Sequence, residues 1–241
     1  MESTVTSKIK IVNKLLIKQF GIPCRNLKLP NPVDLLIATI LSQNTNDNNS
    51  YKAYQNLRKK FLNWESVASA TRPSIEKEIK VAGLGLQKSK AIKNFLMRIQ
   101  KRQNKIDLDF LNNLSNNEII TELTNFDGIG VKTASCVLLF ALDRNICPVD
   151  THVHRTTNRI GIVKTSTPDK TFFILNKDFP AKIAHQFHTN LIRLGREVCK
   201  SQNPNCRSCL LIKICEYEHK DFMRKNSTKK NDFMLLDNIN I

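Results

Sequence analysis

Four cysteines crowd into the stretch from residue 199 to residue 215: Cys199, Cys206, Cys209 and Cys215, with the spacing C-x6-C-x2-C-x5-C. Four thiolates this close in sequence can wrap one metal centre, which in a reducing compartment outranks a disulfide framework. Two chemistries compete for the set, a structural zinc site and a [4Fe–4S] cluster. Zinc ribbons bring together two C-x2-C knuckles and this chain has one, so the spacing leans away from zinc without removing it. Cys24, Cys136 and Cys147 stand apart in apolar contexts and are expected to be buried, unligated thiols.

A lysine nucleophile is the second candidate chemistry. Only seven glycines occur, and four of them form the pairs Gly83-Leu84-Gly85 and Gly128-Ile129-Gly130, each between two helical patterns. A Gly-apolar-Gly turn lets the backbone reach positive φ and turn its amides outward. Where a helix follows, those amides and the helix dipole attract an anion. One such turn alone is more often a plain helix connection; on a basic chain the natural anion is a DNA phosphate. Behind the second turn the sequence runs Val131-Lys132-Thr133-Ala134, which sets a lysine at a helix start. A cation there works against the dipole, an arrangement that suits an amine nucleophile better than a surface charge. Asp150 directly precedes Thr-His-Val-His-Arg and by itself reads as a helix N-cap.

The elements that must carry these residues are helical throughout, with no sustained period-two alternation, so the expected fold is all-α. Apolar periodicity and capping signals predict helices over 35–41, 51–61, 75–81, 88–103 and 131–142. Ser115 and Glu118 form a capping box for a helix through Leu123, with 110–117 as a polar connector. Further helices are expected over 150–159, 168–177 and 181–194, the last closed by Gly195 as a C-cap. Residues 221–241 lack caps and a repeating apolar face and read as a disordered tail.

A formal net charge of +17 points to a polyanionic partner, nucleic acid before an acidic membrane surface. No apolar run approaches the roughly 20 residues of a membrane helix. In the first twenty residues, Lys8, Lys10, Lys14 and Lys18 interrupt the apolar positions. That segment reads as an amphipathic surface helix rather than an export signal, so the expectation is an intracellular, cytoplasmic or nucleoid-associated monomer.

Several stretches together resemble the endonuclease III family of helix-hairpin-helix DNA glycosylases, over roughly Asn31 to Tyr217. Phe126 to Ala134 resembles the family hairpin L-P-G-V-G-x-K-T-A, and Val149 to His152 resembles V-D-T-H. Gly85 to Ala91 resembles G-L-x-x-S-K-A, Leu41 to Asp47 resembles L-S-x-Q-x-x-D, and the cysteine spacing is that of the family's [4Fe–4S] loop. The resemblance implies two domains. Residues 34–144 would form a six-helix barrel carrying the hairpin, and 1–33 with 145–220 a discontinuous iron–sulfur cluster domain. Double-stranded DNA containing damaged bases or abasic sites would bind across the cleft between them. It implies Lys132 as nucleophile and Asp150 facing it as the stabilising carboxylate. Leu86 and the Gln43/Asn44 pair would enter the duplex, and Gly128, Gly130 and Thr133 would grip phosphate. His152 and Lys200 would also contact DNA, and Cys199, Cys206, Cys209 and Cys215 would hold the cluster. The activity implied is that of a base-excision-repair glycosylase and AP lyase removing oxidised pyrimidines.

Two departures touch this pattern. The family glutamine falls on Asn44, with Gln43 one place earlier, and Asp127 replaces the hairpin proline. A uracil or thymine mismatch glycosylase of the same superfamily is the rival enzyme. A non-catalytic phosphate clamp is the rival of another class, although a clamp needs neither Lys132 nor Asp150.

Overall fold

The computed structural model describes residues 3–25 and 28–223 together with Leu236 and Ile239. The expected tail therefore lies outside the described residues, apart from 221–223, 236 and 239. Among the described residues there is no strand. The α-helices in chain order are α1 (Thr4–Phe20), α2 (Pro32–Leu41), α3 (Asp47–Lys60), α4 (Trp64–Ser69), α5 (Arg72–Ile79) and α6 (Gly85–Gln103). They continue as α7 (Asn116–Thr124), α8 (Val131–Cys136), α9 (Thr151–Ile160), α10 (Pro168–Asn176) and α11 (Ala184–Arg193). No described helix is long and apolar enough to cross a membrane.

The chain divides into two compact units: Met1–Arg25 with Asn145–Asp232, and Asn26–Arg144 with Phe233–Ile241. Residues 28–33 thus go with the second unit rather than with the N-terminal segment. Pro30 is buried and the Asn31 side chain accepts from the Val33 amide as the N-cap of α2, which commits this stretch to the helix it starts.

In the unit carrying α2 to α8, α2 is the centre. Its residues from Val33 to Leu41 are apolar on nearly every side, and all but Asp34 are buried, as expected for a helix with no solvent face. Asp34 is satisfied by the Trp64 indole, which donates to it at 2.7 Å. Trp64 belongs to α4, a six-residue helix with a reciprocal cap between Asn63 and Ser66. On α6, Phe95 packs edge-on against Phe126 with 5.2 Å between centroids, and Arg98 lies over the same Phe126 ring. The Ser115/Glu118 capping box of α7 forms in both directions.

In the other unit, α1 buries Ile9, Val12 and Leu16 and packs on α11. Asn190 of α11 donates to the Gly21 carbonyl at 2.9 Å, and Arg193 to that of Phe20 at 3.0 Å, so the orphan carbonyls at the end of α1 find side-chain donors. Gly195 is not a cap. α11 runs on as a π-helical turn over Leu194–Val198, and Gly195 sits inside it. A Cβ there would stand 2.8 Å from the His152 Cβ and 3.2 Å from an Arg155 nitrogen. The glycine is there to let α9 approach, a packing requirement and not a conformational one. Cys24 also departs from expectation. It is exposed in the extended segment after α1, next to a 70% exposed Ile22, where no element supplies an apolar face; Cys136 and Cys147 are buried as expected.

Candidate active site and cluster loop

The second Gly-x-Gly turn is built by local bonds. The Ile129 amide donates to the Phe126 carbonyl at 3.1 Å, and Gly128 takes φ +82°, a left-handed conformation that favours glycine. A side chain on Gly128 would also strike the Ala91 Cβ at 2.8 Å, so α6 and the hairpin can approach only with glycine there. Gly130 is extended and caps α8 without a side chain. Lys132 is then the second residue of α8, half-buried, one position before the buried Thr133. After Cys136 the helix continues as a π-helical turn over Val137–Ala141, all buried. Such turns occur often at functional sites. Asp127 stands exposed at the turn.

Gln43 and Asn44 divide their tasks. The Gln43 amide donates to the Gly128 carbonyl at 3.0 Å and reaches the Thr133 hydroxyl at 3.4 Å, so it braces the hairpin. Asn44 is exposed with φ +51°. Asparagine tolerates this left-handed backbone and glutamine does so less readily, which gives a local reason for asparagine here. Leu86 at the start of α6 is 57% exposed, and Leu84 before it is 45% exposed.

In the other unit Asp150 is the N-cap of α9, its Oδ1 accepting from the Val153 amide at 2.8 Å. One turn along α9, an Arg155 nitrogen lies 3.2 Å from His152 Nδ1 and donates to the Gly195 carbonyl at 2.9 Å. Burial holds the His152 imidazole below its ordinary pKa, against the opposing pull of the Asp150 charge; Arg155 and Arg196 lower it further. At neutral pH His152 therefore offers little positive charge to a phosphate.

α9 also holds the cysteine loop. Arg155 Nε donates to the Cys199 carbonyl at 3.1 Å, and Arg159 donates to the Lys200 carbonyl at 2.7 Å and the Ser201 carbonyl at 3.0 Å. The Arg159 guanidinium lies 4.0 Å from the Tyr217 ring centroid and 3.6 Å from Cys199 Sγ. Cys215 Sγ donates back to the Arg159 carbonyl. A 3-10 turn over Cys206–Ser208 is pinned where the Cys206 amide donates to Asp221. Lys200 is half-buried beside Cys199. The four thiols feel one another. Burial pushes Cys209 up to about 12, and Cys199, Cys215 and Cys206 add to the rise. Cys215 is raised as well, again mainly by burial, with Cys199 and Cys206 adding to it. Yet among the described residues no three His, Cys, Asp or Glu side chains stand close enough to hold a single metal ion. The donor set fits a cationic centre, because thiols such as Cys209 and Cys215, raised by burial and by their neighbours, become thiolate ligands when positive charge is supplied.

Comparison with known proteins agrees with this architecture. Residues 37–181 match the model of the HhH-GPD superfamily of base excision DNA repair proteins. A putative DNA glycosylase of Arabidopsis thaliana is 38% identical over 174 residues, 72% of this chain, which spans only 59% of that relative's length. Endonuclease III of Thermotoga maritima is 33% identical over 203 residues, covering 84% of this chain and 89% of the relative. A solved structure of a trapped endonuclease III–DNA covalent intermediate superposes with a TM-score of 0.73 at 27% identity, over 89% of this chain and 96% of that one. The chain belongs to the endonuclease III family within the HhH-GPD superfamily of base excision DNA repair proteins.

Proposed function

We propose that this DNA glycosylase/AP lyase removes oxidised pyrimidines from double-stranded DNA through Lys132 and Asp150, with a [4Fe–4S] cluster on Cys199, Cys206, Cys209 and Cys215. The observation that carries the catalytic part is the placement of Lys132 directly behind the Gly128–Gly130 turn. There the amides that would hold a phosphate and the amine that would attack share one rigid element, braced by Gln43. The similar solved structure of a trapped endonuclease III–DNA covalent intermediate supports a covalent route.

The target nucleotide must leave the stack, at a cost of a few kcal/mol that damage lowers. The Lys132 amine, having given up its proton with help from Asp150, then forms a bond to C1′ as the bond from C1′ to the base breaks. The base departs with the electron pair and takes up a proton, while Asp150 stabilises positive charge at the sugar. Loss of the proton from the new C–N adduct and opening of the sugar ring give an iminium. Removal of a C2′ proton then expels the 3′ phosphate, and water releases Lys132. In this reading Leu86 and Asn44 occupy the vacated stack, and Lys200 and His152 lie toward the backbone. When bound, the cluster supplies the positive charge that holds the four thiolates, and Arg155 and Arg159 transmit that order to α9.

Cys199, Cys206, Cys209 and Cys215 would hold either centre, and the single C-x2-C knuckle, where zinc ribbons use two, favours the four-iron cluster. Protein prepared without oxygen is expected to be brown, with about four iron and four sulfide per chain. Cys209→Ser is expected to lose the colour and most of the folded protein. A colourless protein carrying one zinc would overturn the assignment.

A cluster held on four thiolates calls for a reducing, intracellular location, and the chain is proposed to act as a monomer. Single-turnover cleavage of duplexes carrying an oxidised pyrimidine, uracil or a G·T mismatch, with and without borohydride, tests the substrate. The oxidised pyrimidine is expected to be cut at least about tenfold faster than the others, a difference of about 1.4 kcal/mol in the barrier. Preference for uracil or G·T would replace this reading with the mismatch enzyme.

A further inference from the structure

The sequence starts a helix at Lys88, where a lysine would ordinarily be solvated, but the structure buries it at 2% exposure, among the largest fully buried side chains of the described residues. Its amine donates to the Leu41 carbonyl at 2.7 Å and to the Ala82 carbonyl at 2.9 Å. Its backbone amide donates to the Leu84 carbonyl at 3.0 Å. Leu41 is the last residue of α2, and Ala82 closes the 3-10 turn over Lys80–Ala82. Both carbonyls therefore belong to helix C-termini, where they have no partner within the helix and carry the negative end of the dipole.

The two ends so joined lead at once into the two turns proposed to enter DNA. Leu41 precedes Ser42, Gln43 and Asn44; Ala82 precedes Gly83, Leu84 and Leu86. Both turns are unusual in backbone. Asn44 has φ +51°, Gly83 +69° and Leu84 +52°, and the left-handed region is costly for leucine. Such a conformation persists only where its surroundings over-determine it, and Lys88 contacts residues 41, 82 and 84. A buried amine is an expensive way to satisfy two carbonyls. Burial pushes this one down to about 8, so it sits in its site against its own charge. Dehydration at that cost points to a geometric task.

We propose that Lys88 is a positioning residue that locks the Ser42–Asn44 turn and the Gly83–Leu86 turn into one unit, so that both enter the duplex together at a lesion. This rests on the glycosylase reading given above. With the clamp cut, each turn moves independently and the enzyme distinguishes damaged from intact duplex less well. The lyase step at a preformed abasic site uses Lys132 and is largely spared.

The test compares wild type with Lys88→Met, which keeps the apolar stem and loses the donors, and Lys88→Arg, which keeps donors on a similar stem. Binding is measured to intact duplex and to duplex carrying an abasic-site analogue opposite 2-aminopurine, whose fluorescence reports unstacking. Lys88→Met is expected to lose the fluorescence rise, and its preference for the analogue duplex should fall by about tenfold or more. Its borohydride adduct at saturating enzyme should stay within about twofold of wild type. Lys88→Arg should recover part of the fluorescence signal. Unchanged fluorescence and preference in Lys88→Met would overturn the proposal.

Should Lys88→Met not fold, the cycle Asn44→Gly, Leu86→Ala and their double variant decides in its place. Coupled turns predict a double loss smaller than the product of the single losses by about threefold or more, and independent turns predict the product, which overturns the clamp. A wild-type protein with no preference for the analogue duplex would remove the glycosylase reading itself, and the clamp with it.

Discussion

Lys132→Ala is expected to leave no borohydride-trapped adduct on abasic-site DNA and to slow strand cleavage by at least about 10³-fold, while the folded protein keeps its helical content and thermal stability. The catalytic loss follows from removing the atom that would bond to C1′. The stability is unaffected for a local reason. Lys132 is the second residue of α8, at the positive end of the helix, and its carbon stem is only half-buried. Alanine is the best helix former, and removing a cation from this end relieves an unfavourable interaction of about 0.3–1 kcal/mol. A variant that melts at or slightly above the wild-type temperature and yet forms no adduct separates chemistry from folding. An adduct that survives in Lys132→Ala would move the nucleophile elsewhere and reduce the hairpin to a phosphate clamp.

What the sequence revealed and what it hid follow from the range of the forces involved. Capping is local, so Ser115 with Glu118 and Asp150 before Thr151 were readable, and both cap as expected. The short α4 was not. It shows only Trp64, Val67 and Ala68 as buried positions, too few to reveal a period, and its cap at Asn63 looks like any polar turn residue. The π-helical turns over 137–141 and 194–198 share the apolar pattern of the helices they extend, so no periodicity separates them. Gly195 looked like a helix stop because helix ends favour glycine; its need comes from α9, distant in sequence. Lys88 was the hardest case. A lysine in a basic helix is normally solvated, and only the tertiary placement of the carbonyls of Leu41 and Ala82 makes it a buried donor. In the candidate site, Lys132 and the cysteines were candidates from their setting and spacing, whereas Asp150 by itself read as a cap and became a candidate only through the family resemblance. The division of tasks between Gln43 and Asn44 needed the backbone angle of the second and the hydrogen bonds of the first.

Asp150 poses the question that substitution can resolve most cleanly, because the same carboxylate caps a helix and is proposed to serve catalysis. Its Oδ1 accepts from the Val153 amide at 2.8 Å. Asp150→Ala loses that bond and is expected to cost about 1 kcal/mol of stability, seen as a fall of a few degrees in Tm. Asp150→Asn keeps an acceptor oxygen in place, and asparagine ranks with aspartate as a cap, so Tm stays near wild type. Charge is what the asparagine lacks. If Asp150 stabilises positive charge at the sugar, both variants slow single-turnover cleavage by about 10²–10⁴-fold, and only alanine also loosens α9. His152 gives a second readout that does not depend on DNA. The Asp150 charge opposes the burial that depresses its pKa, so Asp150→Asn is expected to lower that pKa further, as followed by imidazole NMR titration. A shifted His152 together with undiminished cleavage in Asp150→Asn would show that the charge is gone and that catalysis never used it. Asp150 would then be a helix cap alone, and the stabilising group would have to come from elsewhere.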